Sequence, residues 1–246
     1  VYGVWADGGY QTHCVVHDAS IVLPVPDRVG LDVASLACCS GITSYSAITS
    51  LTDSITEAIR VKGKANVVLV GAGGLCLWGI QICRYLFPTK VTVCVVDIHE
   101  NKLTDAKEAG AHMTVCWDKD PAKAAQASAT LKKALGGAMD AAVDYTGVPG
   151  NTSRLFDAAE TCATITVVGL AGGKMPPLVM HDFSLRGIRL QGVYVGNKRN
   201  LSDLLDILDK GGVTPPYMES VGLEDVNDVI KKLRQGTQKG RAVVKL

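Results

Sequence analysis

The chain has 246 residues, with 25 lysines and arginines against 24 aspartates and glutamates and a formal net charge of +1. That length supports a core without disulfides or a structural metal, and the balanced charge, with no basic block able to track a phosphate backbone, excludes nucleic acid as the expected partner. The eight cysteines are irregularly spaced with no C-x-x-C pair, which argues against a disulfide framework or a cysteine-rich zinc knuckle and for a reducing, cytoplasmic setting. The chain begins at Val1 and shows no basic stretch leading into an apolar run, so no signal peptide is expected.

In chain order, Val1–Val25 reads as short strand-like pieces and glycine turns. Leu36-Ala-Cys38-Cys39-Ser40-Gly41-Ile42-Thr43-Ser44-Tyr45 follows, with adjacent thiols beside hydroxyls; taken alone, a buried core cysteine is the default reading. The uncharged run Ala65–Cys83 is about long enough to cross a bilayer, but Gly71, Gly73 and Gly74 interrupt it after a β-branched stretch. It reads as a buried strand turning into a buried helix, and no membrane partner is expected.

From Asn66 onward, apolar runs at Val67–Val70, Val91–Val96, Met113–Cys116, Ala141–Val143, Thr164–Val168 and Ile188–Val193 alternate with helical segments. The helices are expected at Leu75–Leu86, Glu100–Ala109, Pro121–Leu135, Thr152–Glu160 and Leu201–Lys210. This alternation predicts an α/β fold, a doubly wound, parallel, six-stranded Rossmann sheet. The tail reads as a helix over Gly222–Gly236 and a last strand, Ala242–Leu246. Neither flank has the apolar content for its own core, so each is expected to belong to a second domain of a longer protein.

The chemistry-bearing motif is Val67-Val-Leu-Val-Gly71-Ala72-Gly73-Gly74-Leu75-Cys76. A strand, a tight glycine turn and a helix start place backbone N–H groups and the helix dipole where they hold a pyrophosphate, and a side chain at Gly73 would obstruct it. Cys76 stands where close helix–strand packing usually wants glycine, so either the helix stands off slightly or Gly79 accommodates it. Asp97, ending the next strand, is placed to accept from the adenosine ribose hydroxyls and favours NAD over NADP; Asp97 and Glu100 also fit a D-x-x-E capping box. The later cluster Gly169–Gly173 is followed by Pro176 and Pro177, so no helix grows from it; it reads as a loop touching the cofactor past a strand end. The five histidines show no metal spacing and are assigned no role.

These motifs resemble those of the medium-chain dehydrogenase/reductase superfamily, nearest to its zinc-type alcohol dehydrogenases. Asp7-Gly-Gly-Tyr10 resembles the D-G-G-[FY] turn, Cys39-Ser-Gly-Ile-Thr43-Ser-Tyr45 the C-x-G-x-T-x-Y segment, Asp97 with Lys102 the D-x-x-x-x-K ribose clamp, and Gly240-Arg241-Ala-Val-Val the closing strand. The resemblance implies hydride transfer between an alcohol or carbonyl substrate and NAD, with a catalytic zinc. It makes Cys39 a zinc ligand, Thr43 a catalytic residue near the nicotinamide and Lys102 a partner of Asp97; Arg241 would neutralise the pyrophosphate, and Gly169, Leu170 and Val195 would lie near the nicotinamide ring. It divides the chain into residues 1–45, from a β-rich GroES-like catalytic domain, 46–212, the NAD-binding Rossmann domain, and 213–246, returning to the catalytic domain. The remaining zinc ligands and the proton relay are expected before Val1, and the 246 residues alone are expected to be inactive. A homodimer or homotetramer joined through the edge strand Ile188–Val193 is expected. The alternatives are a zinc-independent quinone or enoyl reductase of the same superfamily, and a truncated, non-catalytic dinucleotide-binding protein.

Overall fold

The computed structural model describes residues 8–118, 120, 123–174 and 177–245. Its centre is a parallel sheet of β1 (Ala65–Val70), β2 (Val91–Asp97), β3 (Met113–Cys116), β4 (Met139–Asp144), β5 (Ala159–Val167) and β6 (Arg189–Gly192), in the order β3-β2-β1-β4-β5-β6. That is the doubly wound Rossmann order, whose direction reverses between β1 and β4.

The central strands are continuous apolar runs because both faces are covered. Alternate residues divide between two cores: Val67, Leu69, Val93, Val95, Ala141 and Val143 enter one, and Val68, Val70, Cys94, Val96, Ala142 and Ile165 enter the other. The first core includes residues of α2 (Ile42–Thr49), α3 (Thr52–Lys62), α4 (Gly74–Leu86) and α9 (Lys198–Asp209); the second is closed by α6 (Ala124–Leu135) and α7 (Pro149–Ala158). Crossover α5 (Glu100–Glu108) and the short α8 (Met180–Leu185) lead into β3 and β6. Glycines in the left-handed region, Gly63, Gly136 and Gly236, end α3, α6 and α10 (Val226–Gln235).

Several boundaries differ from the sequence reading. Residues 8–25 contain no strand, only a 3-10 turn at Ala19–Ile21, because strand-forming residues there find no partner edge; residues 1–7, with Asp7 of the D-G-G-Y motif, lie outside the described residues. Leu31–Thr49 is instead a continuous helical run: α1 (Leu31–Leu36), a π-helical segment Ala37–Gly41 and α2. It is long and apolar enough to span a bilayer, yet about 61% of it is buried inside the protein, as suits a core helix. The helix expected at Thr152–Glu160 runs over 149–158, and Glu160 belongs to β5, where Ala159 pairs with Met139. In the tail, β7 (Met218–Val221) and β8 (Arg241–Val244) form a separate parallel pair around α10. Leu246, expected in the last strand, lies outside the described residues.

Candidate functional site

The predicted site residues gather at the carboxyl ends of the strands: Gly71 follows β1, Asp97 ends β2, Gly169 follows β5 and Val195 follows β6. Crevices bind ligands at this edge in open α/β sheets, where strand order reverses.

The turn after β1 has a distinct requirement at each position. Gly71 has φ +94°, its N–H donates to Val96 O (2.7 Å), and a Cβ there would lie 2.5 Å from Thr146 Cγ2. It lets the chain turn close against the loop after β4. Ala72 is buried and donates its N–H to Asp97 Oδ2 (2.7 Å). Gly73, the N-cap of α4, has extended φ −91° and ψ −172° and nothing within 4 Å of where a Cβ would stand. The space in front of the helix is open, and a side chain at Gly73 would fill it. The helical ladder begins with Leu77 N–H donating to Gly73 O, so the N–H groups of Gly74, Leu75 and Cys76 precede it and face that end.

Gly74 makes room for a different neighbour, since a Cβ there would come 2.6 Å from Arg241 Cδ. Arg241, on β8, therefore lies across the start of α4. Ala72, Gly73, Gly74, Lys102 and Arg241 line one cavity of about 160 Å³ with Lys239, Gly240 and Asp105. Its charged lining is three cations against one carboxylate, and that carboxylate, Asp105, is itself paired with Lys239 (3.5 Å). A positively lined pocket at the amino end of a 13-residue helix is suited to a pyrophosphate. The residues present thus fit a dinucleotide.

Asp97 is tied into the turn, with a side chain only 9% exposed. Besides Ala72 N–H on Oδ2, its Oδ1 accepts His99 N–H (2.9 Å) and faces His99 Nδ1 (3.1 Å). The expected D-x-x-E capping box is not formed: the N-cap of α5 is His99, with no side-chain cap. The Asp97 carboxylate is committed to bridging two turns instead.

Cys76 is fully buried, which pushes its thiol pKa far up. A Cβ on Gly79 would collide with the hydroxyl of Tyr145, whose own pKa burial holds well above the ordinary phenol value. Ser44 Oγ donates to Leu75 O (2.7 Å), fixing α2 to the start of α4. One residue earlier, Thr43 is buried and donates to Cys39 O (2.5 Å).

The loops after β4, β5 and β6 complete the edge. Gly169 packs its backbone against Thr146 and Gly147, leaving no room for a Cβ, while neighbouring Leu170 is 82% exposed. No helix grows from this glycine cluster among residues 169–174 and 177–179, as expected; Pro176 lies outside the described residues. Val195 has φ +55°, a strained conformation for a β-branched residue, and a Cβ on Gly196 would come 2.7 Å from Ile42 Cγ1, which packs this loop on α2.

Two contributors escaped the sequence reading. Buried Asp144, ending β4, collects Thr146 N–H (2.8 Å), Thr146 Oγ1 (2.6 Å) and Gly147 N–H (3.2 Å) on Oδ1, and its carbonyl accepts Val168 and Gly169 N–H, so it ties the loops after β4 and β5 together. Lys239 joins the cavity through a fold-level contact; the only local signal is its place just before Gly240-Arg241.

Cys39 and Cys38 are both exposed free thiols in the π-helical segment. Desolvation and the neighbouring Cys39 raise the Cys38 thiol above its ordinary pKa, which works against thiolate formation at Cys38. Among the described residues no three His, Cys, Asp or Glu side chains are grouped to hold a metal ion, so one thiol of the expected zinc site is present and the residues here do not fit zinc by themselves. The histidines likewise form no cluster; His112 Nδ1 accepts Val93 N–H (3.0 Å) in a structural role.

A model of the zinc-binding dehydrogenase family matches residues 74–210, more than half of the chain. The chain is similar to an alcohol dehydrogenase of Moraxella sp. (strain TAE123), 31% identical over 247 residues, covering 98% of this chain and 66% of that protein. It is 26% identical over 250 residues to an NAD-dependent alcohol dehydrogenase of Sulfolobus acidocaldarius, covering 99% of this chain and again 66% of the relative. Among solved structures, the alcohol dehydrogenase of the hyperthermophilic archaeon Aeropyrum pernix matches with a TM-score of 0.79 at 25% identity, over 98% of this chain and 66% of that one. The chain spans about two thirds of the length of these relatives. With the Rossmann strand order and the glycine turn in place, the chain belongs to the zinc-binding dehydrogenase family.

Proposed function

We propose that this chain is the dinucleotide-holding part of an oxidoreductase that moves a hydride between an alcohol or carbonyl carbon and NAD. The observation that carries the reading is the open cradle at Gly73, faced by the first N–H groups of α4 and by Lys102, Lys239 and Arg241. When bound, NAD supplies the hydride acceptor, and NADH the donor, at the nicotinamide C4. The protein contributes binding and position: the amides of Gly74 and Leu75 and the Arg241 side chain take the pyrophosphate, while Asp97 with Lys102 takes the adenosine ribose. Thr43, Gly169, Leu170 and Val195 are the groups assigned to the nicotinamide end; the position of Gly169, Leu170 and Val195 past the ends of β5 and β6 supports this, while Thr43, on α2, rests on the motif. The relatives named as alcohol dehydrogenases, one of them NAD-dependent, support the substrate class and the cofactor. Cys39 as a metal ligand rests on the motif alone.

The cofactor preference is tested by titrating the chain with NADH and NADPH. The expected result is NADH binding at least about tenfold tighter, because a 2′-phosphate would meet the Asp97 carboxylate. Equal affinity or an NADPH preference overturns the assignment of Asp97.

A GroES-like catalytic domain that takes residues 1–45 and 213–246, with 46–212 as the dinucleotide domain, is part of the same proposal. Its first boundary, however, falls inside α2, whose helical run from Leu31 shares the core of the parallel sheet, so the dinucleotide unit takes in that whole run. The proposal is supported by α10, which buries no residue and leaves Val226, Val229, Ile230 and Leu233 lining a groove. Assembly into a dimer or tetramer is proposed through β6, an edge strand with Leu170, Met180, Leu185 and Tyr194 exposed in the segments flanking it. Light scattering is expected to give at least twice the chain mass; a stable monomer contradicts this.

A further inference from the structure

The three cations that line the cavity in front of Gly73 are not equivalent. Lys102 and Arg241 have no ion-pair partner among the described residues, whereas Lys239 Nζ lies 3.5 Å from Asp105 Oδ1, its one carboxylate partner among them. The backbone beside Lys239 is fixed. Gly240, at φ +59°, packs so closely on Tyr217 that a Cβ would collide with the Tyr217 carbonyl oxygen; Arg241 N–H donates to that same oxygen (2.9 Å), and Lys239 O accepts from Gln238 Nε2 (3.1 Å). The Lys239 side chain, in contrast, is 63% exposed and carries its charge on a flexible stem. With Leu77 and Gly240, the Asp105–Lys239 pair also lines a neighbouring cavity of about 420 Å³, so it forms part of the wall between the two. Lys239 can therefore turn off Asp105 and into the Gly73 cavity without backbone movement.

We propose that Asp105 is a positioning residue that holds Lys239 back from the pyrophosphate and thereby limits how tightly the dinucleotide is retained. The inference rests on the reading of the Gly73 cavity as the pyrophosphate site. The Lys239 ammonium meets either Asp105 or the phosphates, so the two anions compete for it. A bound pyrophosphate gains a charge-assisted hydrogen bond only by parting the pair, and the cost of parting offsets part of that gain. Without the carboxylate, all three cations face the phosphates and nothing is given up. An exposed pair of this kind contributes little to folding, so its effect lies in binding.

The test titrates NADH into the wild-type chain, Asp105→Asn, Asp105→Glu, Lys239→Gln and the Asp105→Asn/Lys239→Gln double variant. The buffer holds about 0.15 M salt, where direct repulsion across more than about 8 Å is largely screened. Asp105→Asn keeps the shape of the side chain, loses its charge and is expected to bind NADH about fourfold tighter than the wild type. Asp105→Glu still reaches the ammonium and is expected to stay within about twofold of the wild type, a rescue that a merely structural role for Asp105 does not predict. Lys239→Gln is expected to weaken binding about fourfold, and adding Asp105→Asn to it is expected to recover less than about twofold, because the carboxylate acts through Lys239. Asp105→Asn affinity no tighter than that of the wild type, Asp105→Glu affinity equal to that of Asp105→Asn, or an equal gain with and without Lys239 overturns the role of Asp105 while leaving the dinucleotide site standing. Failure of the wild-type chain to bind NADH overturns the site and the inference together.

Discussion

Valine in place of Gly73 is expected to weaken NADH binding by about 30-fold or more while leaving the fold nearly as stable as before. The backbone at Gly73, φ −91° and ψ −172°, is open to any residue, and nothing lies within 4 Å of the added Cβ. The unliganded protein thus has no clash to relieve. The added methyl groups would occupy the space in front of the Gly74 and Leu75 amides and push a pyrophosphate off them. Losing charge-assisted hydrogen bonds worth about 2 kcal/mol or more in total, one strong bond or two weaker ones at about 1.5–3 kcal/mol each, gives the stated factor. Gly71→Val makes the contrast: at φ +94°, with Thr146 Cγ2 2.5 Å from the new Cβ, it is expected to cost about 2–4 kcal/mol of stability. Urea denaturation beside an NADH titration separates the two. Unchanged NADH affinity in Gly73→Val places the pyrophosphate elsewhere.

Asp97→Ala is expected to reduce both stability and selectivity. It removes the acceptor of Ala72 N–H, in a buried residue, and of His99 N–H, and takes away the carboxylate facing His99 Nδ1. Stranding a buried donor costs about 1–3 kcal/mol, so a loss of about 2–3 kcal/mol of folding stability follows. NADH affinity is expected to fall at least about tenfold, through the lost ribose bonds and a looser turn, while NADPH, relieved of the opposing charge, falls less. Denaturation curves and paired titrations check both effects. A variant that keeps the wild-type preference shows that Asp97 serves the turn alone.

The sheet was legible because its central strands are buried on both faces and therefore appear as unbroken Val- and Ile-rich runs between glycine turns. The helical run before it was not. Its α2 segment buries Ile42, Thr43, Ser44, Tyr45, Ala47 and Ile48 nearly all round, and neither Gly30 nor Leu51 provides a capping side chain, so periodicity and stop signals are both weak. The opposite failure occurred at residues 8–25, where strand propensity had no neighbouring edge to pair with. Ala159-Glu160 read as a helix end until pairing of Ala159 with Met139 drew the segment into β5.

At the site, Gly71, Gly73, Asp97 and Arg241 were legible as motif residues, but the contacts among them were not. Gly74 is small because Arg241 crosses it, and Asp97 binds the amide of Ala72, 25 positions earlier. Lys239 acts through its contact with Asp105, distant in sequence, which no local pattern encodes; the Asp144 side chain holds its own turn through Thr146 and Gly147, and only its backbone carbonyl reaches the loop after β5.

The most direct measurement is a crystal structure of the chain grown with NADH. The pyrophosphate is expected within hydrogen-bonding distance of the Gly74 and Leu75 amides and beside Arg241, with the adenosine ribose on Asp97 and the nicotinamide toward Thr43 and Gly169. A dinucleotide bound away from Gly73, or its ribose turned away from Asp97, contradicts the account.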